Sequence, residues 1–231
     1  MEDRTADVAA VAALAEPTRR RLYDHVVRQS GPVSRDEASA ATGVPRATAA
    51  FHLDRLVDDG LLEVQFQRLS GRTGPGAGRP AKLYQRSECT VTVSLPERRY
   101  DLAGDLLAAA LDEAEASGEA PRQVLERSAR SRGRDFGKQA RAADDGAPPR
   151  DVVLQVLEAR GFEPRIQDDG AVMLANCPFH TLARAHTDLV CGMNLSLLDG
   201  VLEGVPAAGL VADLQPEPGR CCVRLRPDRK R

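Results

Sequence analysis

Tryptophan is absent from this 231-residue chain, and aromatic residues altogether make up only 3%. That poverty argues against proteins that bind single strands or sugars by stacking them on ring faces. No apolar run approaches the roughly 20 residues a membrane span needs, so a transmembrane protein is excluded. The opening Met-Glu-Asp-Arg-Thr-Ala-Asp is acidic and polar where a signal peptide is basic and then apolar, and the expected location is cytoplasmic. Nucleophile-elbow, Walker and Rossmann glycine patterns are all missing, so no enzyme is expected. The one thiol-nucleophile combination on offer is Cys177 with His180 or His186 and Asp188.

What remains is globular: 42% hydrophobic and 29% charged residues, enough for a small module joined to a medium one. The net charge of -2 conceals an asymmetry, because residues 1–86 carry +2 and the remainder -4. Within the basic half, residues 64–86 hold Arg68, Arg72, Arg79, Lys82 and Arg86 and no acid, a local field suited to a polyanion.

Residues 8–15 read as a short helix, and Pro17 opens a second one that Gly31-Pro32 stops. Ser34-Arg-Asp-Glu37 is a capping box, which predicts a short helix over residues 35–42. After Gly43, Pro45 suits the first turn of a third helix ending at Gly60. Residues 61–69 and 82–86 then pair as strands around a Gly-rich tip. On the third helix Ala49, Leu53 and Leu56 share a core face. The opposite face presents Ala47, Thr48, Phe51 and Arg55, with Arg46 and His52 at its flanks, a surface able to enter a major groove of double-stranded DNA. Phe51 there can meet a thymine methyl or pack against the wing. Arg72, Arg79 and Lys82 are the expected phosphate contacts.

Glu16-Pro-Thr-Arg-Arg-Arg-Leu22, Thr48-Ala-Ala-Phe-His-Leu-Asp-Arg-Leu56, Asp59-Gly-Leu-Leu62 and Gly78-Arg-Pro-Ala-Lys-Leu-Tyr84 follow one another in order. Over residues 8–88 they resemble the winged helix-turn-helix of bacterial repressors of the arsenic-repressor type. The expected fold is therefore α/β and mostly α, with a winged helix-turn-helix domain over residues 1–88. A helical dimerisation region and linker over 89–147 precedes an α+β sensor domain with two hairpins and several helices over 148–231. Val124, Leu125 and Phe136 are the expected anchors of a homodimer.

Four of five cysteines fall in the last quarter: Cys177, Cys191, Cys221 and Cys222. Reduced thiols clustered in a cytoplasmic chain point to metal binding or redox sensing rather than structural disulfides. Alternation along an expected strand over residues 221–225 turns Cys221 inward with Val223 and Leu225, and leaves Cys222 as a spare or reactive thiol. Cys89, alone near the middle, reads as structural. Asn176-Cys-Pro-Phe-His180, Leu189-Val-Cys191 and Gly219-Arg-Cys221 resemble the C-terminal sensor of SufR-type repressors. That resemblance implies a homodimer and an iron–sulfur cluster, 2Fe-2S or 4Fe-4S, held by Cys177, Cys191 and Cys221, with His180 or Cys222 open as the fourth ligand. The alternative is a winged-helix regulator whose sensor takes a small organic ligand or zinc.

Overall fold

The computed structural model describes residues 2–67, 80–216 and 220–228 and divides the chain into two compact units, residues 1–93 and 94–231. Among the described residues no helix is long and apolar enough to cross a membrane.

The front unit opens with α1 (Glu2–Ala13), which starts six residues earlier than its apolar pattern suggests, and α2 (Pro17–Val27). Strand β1 (Val33–Ser34) runs directly into α3 (Arg35–Thr42) through the expected capping box: Glu37 N–H donates to Ser34 Oγ at 3.2 Å, and Ser34 N–H donates to the Glu37 carboxylate at 2.8 Å. Gly43, at φ +68°, turns the chain into α4 (Arg46–Asp58). Gly60, at φ +73°, ends that helix, and Leu61 N–H reaches back to Leu56 O across it. Strands β2 (Leu62–Gln67) and β3 (Ala81–Arg86) pair in register Val64 to Tyr84, and the sheet order is β1-β3-β2. Leu22, Val26, Ala38, Ala49, Leu53, Leu56 and Tyr84 form its core, so the face of α4 expected to be buried is buried.

The rear unit contains α5 (Tyr100–Ser117), α6 (Pro121–Ala143), α7 (Pro149–Ala159), β4 (Pro164–Ile166), β5 (Val172–Leu174), α8 (His180–Ala185), α9 (Thr187–Gly204), β6 (Leu210–Leu214) and β7 (Val223–Pro227). The two expected hairpins join through the pair Val172 to Leu225 into one antiparallel sheet of order β4-β5-β7-β6. Helices α6 and α9 run parallel at near-backbone contact, because glycines meet on both sides. A methyl on Gly133 would fall 1.9 Å from Leu197 O, and one on Gly200 would fall 2.0 Å from Arg130 O. Arg130 to Asp199 at 2.6 Å and Arg134 to Glu203 flank this seam.

That packing corrects the dimer anchors. Val124 and Leu125 are fully enclosed in the rear unit's own core, and Phe136 lies partly buried under the Arg160 guanidinium, 3.6 Å from its ring centre. The outer side of α5 instead carries Ala108 and the 54%-exposed Leu111.

Candidate nucleic-acid interface and thiol centre

Burying Ala49, Leu53 and Leu56 forces the remaining arc of α4 outward. Arg46, Ala47, Thr48, Phe51 and Arg55 are all exposed, and Phe51 is 65% exposed rather than packed on the wing. The cations here are held by acids from the same unit. Arg46 pairs with Asp36 of α3, and Arg55 pairs with Asp59 at 3.0 Å. Lys82 of β3 pairs with Asp54, which also accepts the Tyr84 hydroxyl at 2.7 Å. Burial pushes the Asp54 carboxyl up, but the hydrogen bonds from Lys82 and Tyr84 outweigh it and hold the group below its usual range. Burial and the Asp54 contact push the Tyr84 phenol up.

Two expected contacts look different in space. His52 is turned against α2: Arg19 Nε donates to its Nδ1 at 3.5 Å, its Nε2 lies 3.7 Å from Glu16, and only 13% of its side chain is exposed. It braces α4 on the cap of α2 instead of extending from the exposed arc. Lys82 is engaged by Asp54, so a phosphate must displace that carboxylate to use it. Arg72 and Arg79 lie outside the described residues. Asp54, which ties the reading helix to the wing strand, went unread because its partners come from a strand 28 and 30 positions away.

Residues 14–65 match the family model described as a helix-turn-helix domain. The front unit contains a helix-turn-helix domain. That match supports a DNA-binding transcription regulator, with α3 and α4 as the two helices of the motif and the β2–β3 hairpin as its wing. No curated protein and no solved structure matches the chain.

The rear cysteines meet in two pairs. The loop after β5 brings Cys177 to Cys221, whose thiol donates to it, while Cys191 on α9 forms a disulfide with Cys222, their Cα atoms 6.4 Å apart. This corrects the expectation that disulfides are absent and that Cys222 is a spare outward thiol. Strand β7 begins only at Val223, so strand alternation does not extend to the two cysteines, and both are buried. Cys89, expected to be structural, is exposed. The three expected ligands therefore divide between the pairs, and among the described residues no group of three or more His, Cys, Asp or Glu side chains has metal-binding geometry. His180 starts α8 and donates its backbone N–H to Cys177 O. His186 and Asp188 are exposed.

The scaffold around these sulfurs includes residues the sequence did not single out. Buried Asn176 donates to Glu97 O and Gly161 O and accepts from Arg98, which also donates to Cys177 O; this network fixes the Cys177 loop. The hydrogen bond from Cys221 outweighs burial and, with the Phe179 N–H and the Arg98 charge, draws the Cys177 thiol down. Donating that bond, and burial, push the Cys221 thiol up. Asn194, 1% exposed and one turn after Cys191, donates Nδ2 to Cys221 Sγ at 3.3 Å, and its Oδ1 has no hydrogen-bond partner among the described residues. A cavity of about 50 Å³ lined by Gln167, Met173, Gln215 and Arg220 reaches Cys221.

Proposed function

We propose that the protein is a homodimeric transcription repressor that reads a palindromic duplex with α4 and senses iron–sulfur or redox status through a cluster on Cys177, Cys191 and Cys221. The observation that carries the sensor reading is that four buried cysteines from the β5–α8 loop, α9 and the stretch before β7 meet as two pairs joined by the Cys221–Cys222 peptide. Thiolates are the ligands such clusters use: Cys177 and Cys221 are buried free thiols, and Cys191 can join them only once its bond to Cys222 is reduced. Bound there, a cluster supplies a one-electron redox couple and a response to oxygen and iron supply. Cys177 is the sulfur closest to its ligating form, because the Cys221 bond, the Phe179 N–H and Arg98 favour its thiolate. Asn176 and Arg98 hold its loop in place.

The small-ligand alternative has less support, since the cavity at Cys221 is about 50 Å³, far below the roughly 300–1,000 Å³ that organic ligands occupy. For the dimer, the exposed Ala108 and Leu111 side of α5 is one apolar surface on offer among the described residues, and Leu111→Lys is expected to give a monomer in analytical ultracentrifugation.

The test is anaerobic purification followed by an absorption spectrum and iron and sulfide analysis. Visible charge-transfer bands with matching iron and sulfide, reduced in Cys177→Ser, Cys191→Ser and Cys221→Ser, support the reading. Zinc with a featureless visible spectrum replaces it with the zinc alternative, and full iron and sulfide in all three variants contradicts the ligand set.

A further inference from the structure

The two cysteine pairs are not independent sites. Cys221 belongs to one and Cys222 to the other, so consecutive Cα atoms, about 3.8 Å apart, carry both. Helix α9 closes the arrangement from the other side: Cys191 bonds Cys222, and Asn194, on the next turn, donates to Cys221. The segment is fixed at its backbone as well, with Cys221 N–H donating to Leu174 O at 3.1 Å and Cys222 O accepting from Gln215 N–H. The Asn194 carboxamide, turned to these sulfurs, keeps a buried oxygen without a partner among the described residues.

The sulfurs differ in what they can bind. A thiolate is an anionic soft donor, whereas a disulfide sulfur has no charge to offer a metal. With Cys191 and Cys222 bonded, only Cys177 and Cys221 remain as thiols of the centre. Resting on the thiol-sensor reading above, we propose that the Cys191–Cys222 bond is a reversible gate: reduced, Cys222 supplies the fourth sulfur of a metal centre with Cys177, Cys191 and Cys221; oxidised, the centre holds no metal.

The chemistry balances with common reactants. In the opening direction a dithiol reductant attacks one sulfur of the bond, which breaks. The reductant's second thiol then displaces the mixed disulfide, leaving two cysteine thiols and one oxidised reductant. In the closing direction a hydroperoxide takes two electrons from the two thiols. The S–S bond forms, the O–O bond breaks, and the two thiol protons leave with the oxygens as water and an alcohol, or as two waters from hydrogen peroxide.

The experiment uses the full chain without oxygen, after dithiothreitol or after hydrogen peroxide, each reagent then removed. Differential alkylation with peptide mass spectrometry reads the pairing, and Co(II) titration reads the thiolate centre through its sulfur-to-cobalt charge-transfer band. The expected result is joint protection of Cys191 and Cys222 after peroxide, joint labelling after dithiothreitol, and Co(II) uptake by the reduced chain only. Cys222→Ser should abolish the pairing and weaken the charge-transfer band. Equal Co(II) uptake by both forms, no uptake by either, or independent labelling of Cys191 and Cys222 in unmodified protein overturns the gate. Titration with Fe(II) and sulfide separates the two readings: a reduced chain that binds Co(II) but assembles no cluster leaves the gate standing and removes the iron–sulfur assignment.

Discussion

Asn194 stands one turn beyond Cys191 on α9 and donates its side-chain amide to the sulfur of Cys221 at 3.3 Å. Helix α9 thus contacts the segment before β7 twice, once through a bond and once through a hydrogen bond. Asn194→Ala removes both that donor and the unpartnered Oδ1. Because the lost hydrogen bond and the removed orphan act in opposite directions, the stability cost should stay near 1 kcal/mol. Metal retention by the reduced chain should nevertheless fall. Retention equal to that of the unmodified protein would separate Asn194 from the centre.

On the DNA side, Asp54 sets how much positive charge the wing strand presents. Asp54→Asn frees Lys82, so binding to random duplex should strengthen and its salt dependence should steepen by up to about one unit, while Lys82→Ala should flatten it by a similar amount. The ion pair is half exposed, and losing it should cost stability no more than about 1 kcal/mol. Fluorescence anisotropy across a salt series checks both signs. Equal slopes in all three proteins would remove Lys82 from the phosphate contacts.

The α6–α9 seam admits no side chain at its crossing. Gly200→Ala puts a methyl 2.0 Å from Arg130 O, a backbone atom that cannot swing aside. The helices must separate, and a loss of about 1–3 kcal/mol or more is expected in chemical denaturation. Gly104→Ala, where a methyl meets nothing within 4 Å, is the matched control and should be neutral or slightly stabilising.

Acid should loosen the front unit first at its caps. Glu37 is held below its ordinary 4.5 by the Ser34 N–H and hydroxyl, and Glu16 chiefly by the Thr18 N–H, which with the Arg19 N–H outweighs the opposing effect of burial. A carboxylate whose folded pKa is depressed contributes stability that is fully present above its unfolded value and is lost as pH falls through the folded one. Melting temperature should therefore drop below about pH 4.5, and Glu37→Gln should reduce the slope there. An unchanged slope in circular dichroism melts between pH 3 and 6 would contradict the cap assignment.

Local signals were legible where local chemistry decides the outcome. Ser34 with Glu37 and Gly60 each marked a helix end that the structure keeps. The buried face of α4 followed from the spacing of Ala49, Leu53 and Leu56. Contacts between distant segments were not legible. Nothing near Val172 announces its pairing with Leu225, and Gly133 and Gly200 become meaningful only when the two helices meet. The cysteines show the same limit: counting grouped the four rear cysteines, but which sulfur faces which depends on where β7 begins. His52 lies on the helix arc that spacing assigns to the groove's flank, yet Glu16 and Arg19 draw it toward α2.

In the proposed function, the rear cysteines control how tightly the helix-turn-helix domain holds DNA. Its most direct test is the affinity of the full chain for a duplex selected from genomic fragments, measured at one salt concentration with the thiol centre reduced and metal-loaded and again with it metal-free. Coupling between two such sites is ordinarily about 1–3 kcal/mol, so the two affinities should differ by several-fold to about a hundredfold. The difference should disappear in Cys177→Ser. Identical affinities in the two states of the unmodified protein would contradict the account.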